Sequence, residues 1–294
     1  MHLQLMGYID AHTHIVFRET ITEELMRFAL REWGAPHETL LMSVKDVVRI
    51  LDDAEIDYVG IMAFPARKLG TVKEDYAIRV INAVKDYADR FAVIGGVEAN
   101  ELTIEETRYW LEKQYEAGIS AIKVHPPHMW LKPNAYRPEE GGLKQLELVY
   151  QFAEDHGLPV YIHTGTSAFS RARNKYGDPI FVDDVAVDFP RLTIIMSHVG
   201  RPNWVSTAFQ LIRIRPNIIA DLSSIPPRRV LEYLPRLTEI GDKAIYGSDY
   251  PGPGVHDIRV NLREFLNIPI PREVMKKIVD DNPRRVLKPL SRNR

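Results

Sequence analysis

Two histidines one residue apart, His12 and His14, close an apolar run that begins at Tyr8. On a β-strand, residues i and i+2 face the same side, so the pair offers two imidazoles to one divalent cation. On a solvent face the same spacing would be a chance pair without chemistry. Later in the chain, further groups of the same kind sit at the ends of apolar runs. They are Lys123 and His125 in Ala121-Ile122-Lys123-Val124-His125-Pro126, His163 in Val160-Tyr161-Ile162-His163, His198 in Met196-Ser197-His198, and Asp249 in Tyr246-Gly247-Ser248-Asp249. The chain has no cysteine, so thiolate sites and disulfides are excluded and any metal rests on imidazole and carboxylate. That donor set suits zinc, manganese or iron in an enzyme rather than a structural zinc module.

Other groups carry less information. Asp10 shares the inward parity of His12 on a regular strand and either supports a ligand from behind or is a core carboxylate. Lys123 faces the same way as His125 and reads three ways: a carboxylated bridge between two metals, a cation for a substrate carboxylate, or a partner of a barrel carboxylate. Arg171, Arg173, Arg201, Arg67 and Lys68 follow the ends of apolar runs and could clamp a carboxylate or simply solvate the surface. Trp130, Tyr136, Phe169 and Trp204 offer aromatic walls. Together these groups suggest a small carboxylated substrate, cyclic or aromatic. His2, His37, His128, His156 and His256 fall in termini, loops or helix ends and receive no role.

Eight short apolar runs carry these groups: residues 8–12, 58–63, 91–97, 119–124, 160–163, 192–198, 218–222 and 244–248. Several are apolar on both faces, as parallel strands covered by helices are. Between them lie segments of helical periodicity, at 43–54, 75–90, 103–117, 142–156, 182–188, 205–213, 228–240, 257–266 and 272–280. Ser43 is a candidate N-cap, and Thr103 with Glu106 has the pattern of a capping box. Eight strand-then-helix units in a chain of 294 residues predict one TIM (β/α)8 barrel domain over 1–294. An open doubly wound sheet is the competing fold, and the lack of a glycine-rich phosphate turn counts against it. Residues 17–41 exceed a bare barrel and predict an extra helix at 20–33, serving as a cap over the barrel mouth or a dimer surface. The proline-rich stretch 126–142 reads as another rim element.

Composition is that of an ordinary globular protein, 45% hydrophobic and 27% charged. With 38 basic and 40 acidic residues and a formal charge of -2, nothing points to nucleic acid. No run is long and apolar enough for a membrane span, and no signal-peptide pattern opens the chain, so a cytoplasmic location is expected.

The ordered set of His-x-His, a histidine on strands five and six and an aspartate on strand eight resembles the amidohydrolase superfamily. The stretches Gly118 to Pro126, Ser197-His198-Val199-Gly200 and Tyr246 to Pro251 are similar to its amidohydrolase-2 branch, which includes aminocarboxymuconate-semialdehyde decarboxylase and related decarboxylases, hydratases and lactonases. The resemblance implies one divalent metal, zinc first and manganese or iron second, held by His12, His14, His163 and Asp249. It implies a second metal if Lys123 is carboxylated. It makes Asp249 and His198 the catalytic pair, with Lys123 and His125 bridging or binding substrate, and leaves Arg171, Arg201 and Trp130 as substrate contacts. Such a site leaves the metal an open position, where a water's pKa falls from ~15.7 to around 7. The expected activity is hydrolysis of a small, carboxylated molecule, or alternatively its non-oxidative decarboxylation. A homodimer through residues 17–41 is implied as well. Two other readings stay open: a non-catalytic scaffold keeping a structural metal, and a metal-free aldolase with Lys123 as Schiff-base nucleophile.

Overall fold

The computed structural model describes residues 7–34 and 36–291, and His2 lies outside them. Eight parallel strands form one sheet in sequence order, each hydrogen-bonded to the next. They are β1 (Tyr8–Thr13), β2 (Ile56–Met62), β3 (Phe91–Gly95), β4 (Ala121–Val124), β5 (Val160–His163), β6 (Ile194–Ser197), β7 (Ile218–Asp221) and β8 (Ala244–Ile245). The seam between β8 and β1 is closed by backbone bonds from the segment that follows β8. Ala11 N–H donates to Tyr246 O at 3.0 Å, Asp249 N–H to His12 O at 2.9 Å, and His14 N–H to Tyr250 O at 2.7 Å. The expected TIM barrel is therefore the observed architecture.

The apolar side chains divide into two layers, as strand alternation requires. Ile9, Tyr58, Ala92, Ile94, Ala121, Tyr161, Ile195, Ile219 and Ile245 fill the barrel interior. A larger cluster, including Val59, Ile61, Val93, Ile122, Ile162 and Ile194, packs between strands and helices. Both predicted caps form. Ser43 and Asp46 make a capping box on helix Val44–Asp53, and Thr103 and Glu106 make one on helix Ile104–Ala117. Each satisfies otherwise orphaned N–H groups of a first turn.

Three departures from the sequence reading have local causes. The helix expected at 228–240 is only Val230–Tyr233, followed by a 3-10 turn Leu237–Lys243. Pro235 removes a donor and pushes Leu234 out of helical geometry, to φ -126 and ψ 68. The final helix does not stop at Pro283. A π-helical stretch, Lys277–Asp281, carries the run into Asn282–Val286 with the proline near a helix start, where its missing N–H costs little. Lastly, β1 is bulged. Asp10 aligns with Val59 and Thr13 with Ile61, so three steps on β1 match two on β2. Asp10 and His12 consequently lie on opposite faces, against the expected shared parity.

Residues 17–41 form a helix, Glu23–Phe28, continued by a π turn, Ala29–Trp33, and a 3-10 turn, His37–Leu41. Thr22, rather than Thr20, is the N-cap, its hydroxyl accepting from Leu25 N–H. No described helix is long and apolar enough to cross a membrane.

Candidate metal centre and pocket

At the C-terminal mouth of the barrel, His12, His14 and Asp249 converge. Their donor atoms form a nearly equilateral triangle: His12 Nε2 to His14 Nε2 3.4 Å, His12 Nε2 to Asp249 Oδ1 3.4 Å, and His14 Nε2 to Asp249 Oδ1 3.3 Å. Donors around one ion in a tetrahedron stand ~3.3–3.4 Å apart at ~2.0–2.1 Å bond lengths. The triangle therefore matches one face of a tetrahedral site. Asp249 Oδ1 is buried without a hydrogen-bond partner, as a ligand oxygen facing a cation would be. The donors fit a divalent metal, and they are the one group of three or more such residues among those described.

The fold works to hold these atoms. The β1 bulge turns His12 inward, and Tyr161 OH donates to the carbonyl of Ala11 in the bulge at 2.9 Å. Asp10 does not touch a ring. Its Oδ1 accepts from His12 N–H at 3.2 Å and Ser248 N–H at 2.9 Å, which ties β1 to the Asp249 segment. Asp249 itself takes a left-handed φ of 67, a conformation costly outside glycine. Gly247 is required by close approach: a Cβ there would stand 2.7 Å from His12 Cβ. Burial raises the Asp249 pKa, but hydrogen bonding and charge from His14, with His12 and Arg201, outweigh it and hold the carboxyl well below its usual range.

Asp221, at the end of β7, was missed in the sequence. Its Oδ2 lies 2.5 Å from His12 Nδ1, and both side chains are fully buried. A carboxylate there fixes the proton on Nδ1 and leaves Nε2 free to ligate. The overlooked signal is plain: a carboxylate closing an apolar strand, in the position that His163 and His198 hold on or just after theirs.

His198 stands next to the triangle, its ring centroid 5.0 Å from that of His12. Its Nδ1 lies 3.1 Å from Ser223 O and 3.0 Å from Ser223 Oγ. Because a carbonyl only accepts, Nδ1 carries the proton and Nε2 is the bare nitrogen. Burial, then the charge of Arg201, push the His198 pKa well below its ordinary value, so the ring is neutral. Its φ of 65 and the φ of 49 at Val199 are left-handed, a strained turn that places the ring.

His163 is buried on the far side of His198, ring centroids 4.7 Å apart, and its donors are not part of the triangle. Its Nε2 is buried without a partner. His125 stacks on His163 at 3.9 Å and on His128 at 3.3 Å. His128, given no role in the sequence, is brought back over His125 by the short helix Pro126–Met129 and is buried. His37, His156 and His256 lie on the outside. Lys123 is buried with Nζ donating to Ser197 Oγ at 3.0 Å. No carboxylate among the described residues lies within ion-pair distance of it. Burial lowers its pKa to about 8, against the opposing charges of Asp221 and Asp249.

His14, Lys123, His125, His128, His163, His198 and Asp249 line a cavity of about 410 Å³. Aromatic rings follow one another around it in a closed circuit. In order they are His14, Trp33, Phe28, Phe169, His128, His125, His163, His198 and His12, with neighbouring centroids between 3.3 and 6.0 Å apart. Leu25, Phe28 and Trp33 come from the excursion after β1, so that segment walls the pocket. Arg201 also lines it. Its Nη1 donates to Thr166 O at 3.1 Å, its Nη2 to Ser224 Oγ, and its buried Nε has no partner. No carboxylate neutralises it within ion-pair distance among the described residues.

Arg171 and Trp130 do not line the cavity. Trp130 Nε1 donates to Arg171 O at 2.9 Å, and Lys68 and Arg173 sit over its exposed ring. Arg67 pairs with Glu74 and Lys68 with Glu101. Tyr136 is buried between helices, its OH donating to Asp188 at 2.7 Å. Of the suggested aromatic walls, Phe169 alone reaches the pocket.

The amidohydrolase family model matches residues 9–288. The chain belongs to the amidohydrolase family. No curated protein matches it in sequence. An uncharacterized TIM-barrel protein from Bordetella bronchiseptica is similar in structure at TM-score 0.72 and 23% identity, over 95% of this chain and 97% of that one. The 5-carboxyvanillate decarboxylase of Sphingomonas paucimobilis aligns at TM-score 0.62 and 15% identity, over 96% and 98%. A zinc-bound amidohydrolase from Burkholderia multivorans aligns at TM-score 0.63 and 10% identity, over 95% and 98%. At these identities the likeness concerns the fold.

Proposed function

We propose that this amidohydrolase is a metal-dependent hydrolase of a small carboxylated substrate, with one divalent ion, zinc first, held by His12, His14 and Asp249; His163, whose donors stand outside that triangle, is the fourth ligand that the family resemblance implies. The observation that carries this reading is the 3.3–3.4 Å donor triangle backed by buried Asp221. A metal there would supply Lewis acidity, bringing a water's pKa toward neutrality and polarising a carbonyl. The protein's own groups do the remaining work. Asp249 is ionised and has a second oxygen, Oδ2, to take a proton and return it to the leaving group. Neutral His198 presents bare Nε2 as a hydrogen-bond acceptor that orients the attacking water. Arg201, a half-buried cation with no carboxylate within ion-pair distance among the described residues, receives the substrate carboxylate. The excursion and its aromatic residues exclude bulk water, which strengthens each of these interactions.

Non-oxidative decarboxylation is the second reading. It is favoured by the apolar half of the pocket, where Phe28, Trp33 and Phe169 suit the flat body of an unsaturated acid. Lys123 pairs with Ser197 and no second donor triangle accompanies it among the described residues, which supports one ion rather than two. The test is a metal analysis by mass spectrometry on protein purified without chelator, followed by turnover assays in labelled water. One equivalent of metal and solvent oxygen in the product support hydrolysis. Carbon dioxide release without solvent oxygen in the product moves the assignment to a lyase. A metal-free, fully active protein refutes both.

A further inference from the structure

The cavity has two unlike sides. In a ring of eight strands taken in sequence order, the segments after β2 and β6 stand opposite each other. The β6 side carries Arg201. The metal triangle, drawn from β1 and the segment after β8, lies between the two sides. The β1 and β2 side is hydrocarbon. Ile15 and Val16 directly follow His14, Leu25 comes from the excursion helix, and Leu69, Val72 and Tyr76 come from the segment after β2; all six line the cavity. Charge is drawn off this wall. Arg67 pairs with Glu74, Lys68 with Glu101, and Arg79 Nη2 donates to Thr20 O at 2.8 Å. The two hydroxyls of the wall turn to protein oxygens: Thr71 Oγ donates to Ala66 O at 3.4 Å, and Tyr76 OH lies 3.5 Å from Thr20 Oγ. A wall of this kind favours a hydrocarbon group and penalises a polar one, which would lose its water without a replacement.

We propose that the substrate is an amide or ester with its carboxylate on one side of the scissile bond and a hydrocarbon tail on the other, the tail lying against Ile15, Val16, Leu25, Leu69, Val72 and Tyr76. The carboxylate faces Arg201, and the scissile carbonyl lies at the triangle between them. This deepens the reading of the protein as a hydrolase of a carboxylated molecule and rests on it. N-acylglycines are the simplest molecules of this shape. In their hydrolysis the oxygen and one hydrogen of water go to the acyl carbon, the C–N bond breaks, and the other hydrogen goes to nitrogen, giving a fatty acid and glycine. Volume sets the tail length. At ~30 Å³ per water-sized group, the cavity of about 410 Å³ takes on the order of a dozen non-hydrogen atoms. The glycine and its amide carbonyl use about seven of them, which leaves about five carbons for the tail.

The probes are levulinate and its straight-chain homologues, in which a methylene replaces the amide nitrogen of an N-acylglycine so that no bond is cleaved. Calorimetry on the zinc-loaded protein follows their affinity as the tail lengthens. Affinity should rise roughly three- to fourfold per methylene and level off near about five tail carbons. Adhesion to the outer surface would rise without such a limit. Val72→Phe, which fills the wall, should bring the limit about two carbons shorter, and Leu25→Ala, which enlarges the space, about two carbons longer, both with metal content unchanged. Either variant supplies the readout if the other fails to fold. A flat series, or a limit that stays in place in the folded variants, overturns the proposal. Arg201→Gln should weaken every homologue by about the same factor. If it weakens none while the length limit holds, the carboxylate reading falls and the tail site stands; if it weakens a flat series, the tail site falls and the carboxylate reading stands. If the length limit holds but no glycine is released from N-hexanoylglycine, the hydrolase reading falls, and the amide or ester with it, while the tail site stands. If no homologue binds wild type, all fall.

Discussion

The metal triangle and the histidine stack lie in one pocket and are built in opposite ways. At the triangle the supports are fixed in advance: His12 by Asp221, the backbone on both sides by Asp10, and the strands by the closing seam. In the stack, imidazoles lie on one another with Nδ1 of each unmet and Nε2 of His128 paired with Ser167. Charge governs the first, with carboxylates holding it ready for a cation. Neutrality governs the second, because burial first, and nearby positive groups after it, keep a second proton off each ring. The contrast separates a braced, charged part of the pocket from a stacked, neutral one.

The largest effect is expected where the triangle is broken. Asp249→Asn should cost on the order of 1000-fold or more in kcat/KM and release the metal, measured by steady-state kinetics and metal analysis. The barrel should stay folded by circular dichroism. His128→Phe should instead keep its metal. An Asp249→Asn protein with full activity would remove the basis for the contrast.

Asp221→Asn should act more mildly, lowering metal affinity about 10–100-fold in a competition titration, since the ligand stays but loses its orienting carboxylate. An unchanged affinity would show that the 2.5 Å contact at His12 is packing alone.

The third effect is on stability and belongs to the stack. Burial first, then nearby positive groups, push the His125 and His128 pKa values well below 6.5, while in the unfolded chain they return to about that value. The unfolded state therefore binds more protons below pH ~6.5, so this contribution is present above that pH and is lost as pH falls. Urea unfolding should find His128→Phe gaining roughly 1–2 kcal/mol relative to wild type on going from pH 7 to pH 5.5. A pH-independent difference would mean that the ring takes up its proton equally in the native and unfolded states, without the shift that burial imposes.

Much of the barrel is legible in the sequence because strand and helix periods alternate so regularly, and because chemically active residues close the strands. The order of those residues led to His12, His14, His198 and Asp249 before any coordinates. What local pattern hides is register and return. The β1 bulge changes which residues share a face without altering the apolar run that contains them. His128 follows two prolines that read as a loop, yet those prolines start the short helix that folds it into the pocket. Asp221 stood in plain view at a strand end, but its partner is His12 on a strand far away in sequence. Trp130 and Arg171 looked like rim groups, but the indole donates to the Arg171 main-chain carbonyl and the guanidinium to Lys68 O, and neither residue lines the cavity.

The seam between β8 and β1 also sets an order of events in time. His12 and His14 leave the ribosome early, whereas Asp221 and Asp249 follow only after six and seven further strands, respectively. A nascent chain thus exposes a two-imidazole hook long before the carboxylates that complete and orient it exist. Any cation caught then is held weakly and is free to exchange. Selection among ions falls to the moment when the last strand docks against the first, and depends on which ions the surrounding cell makes available then.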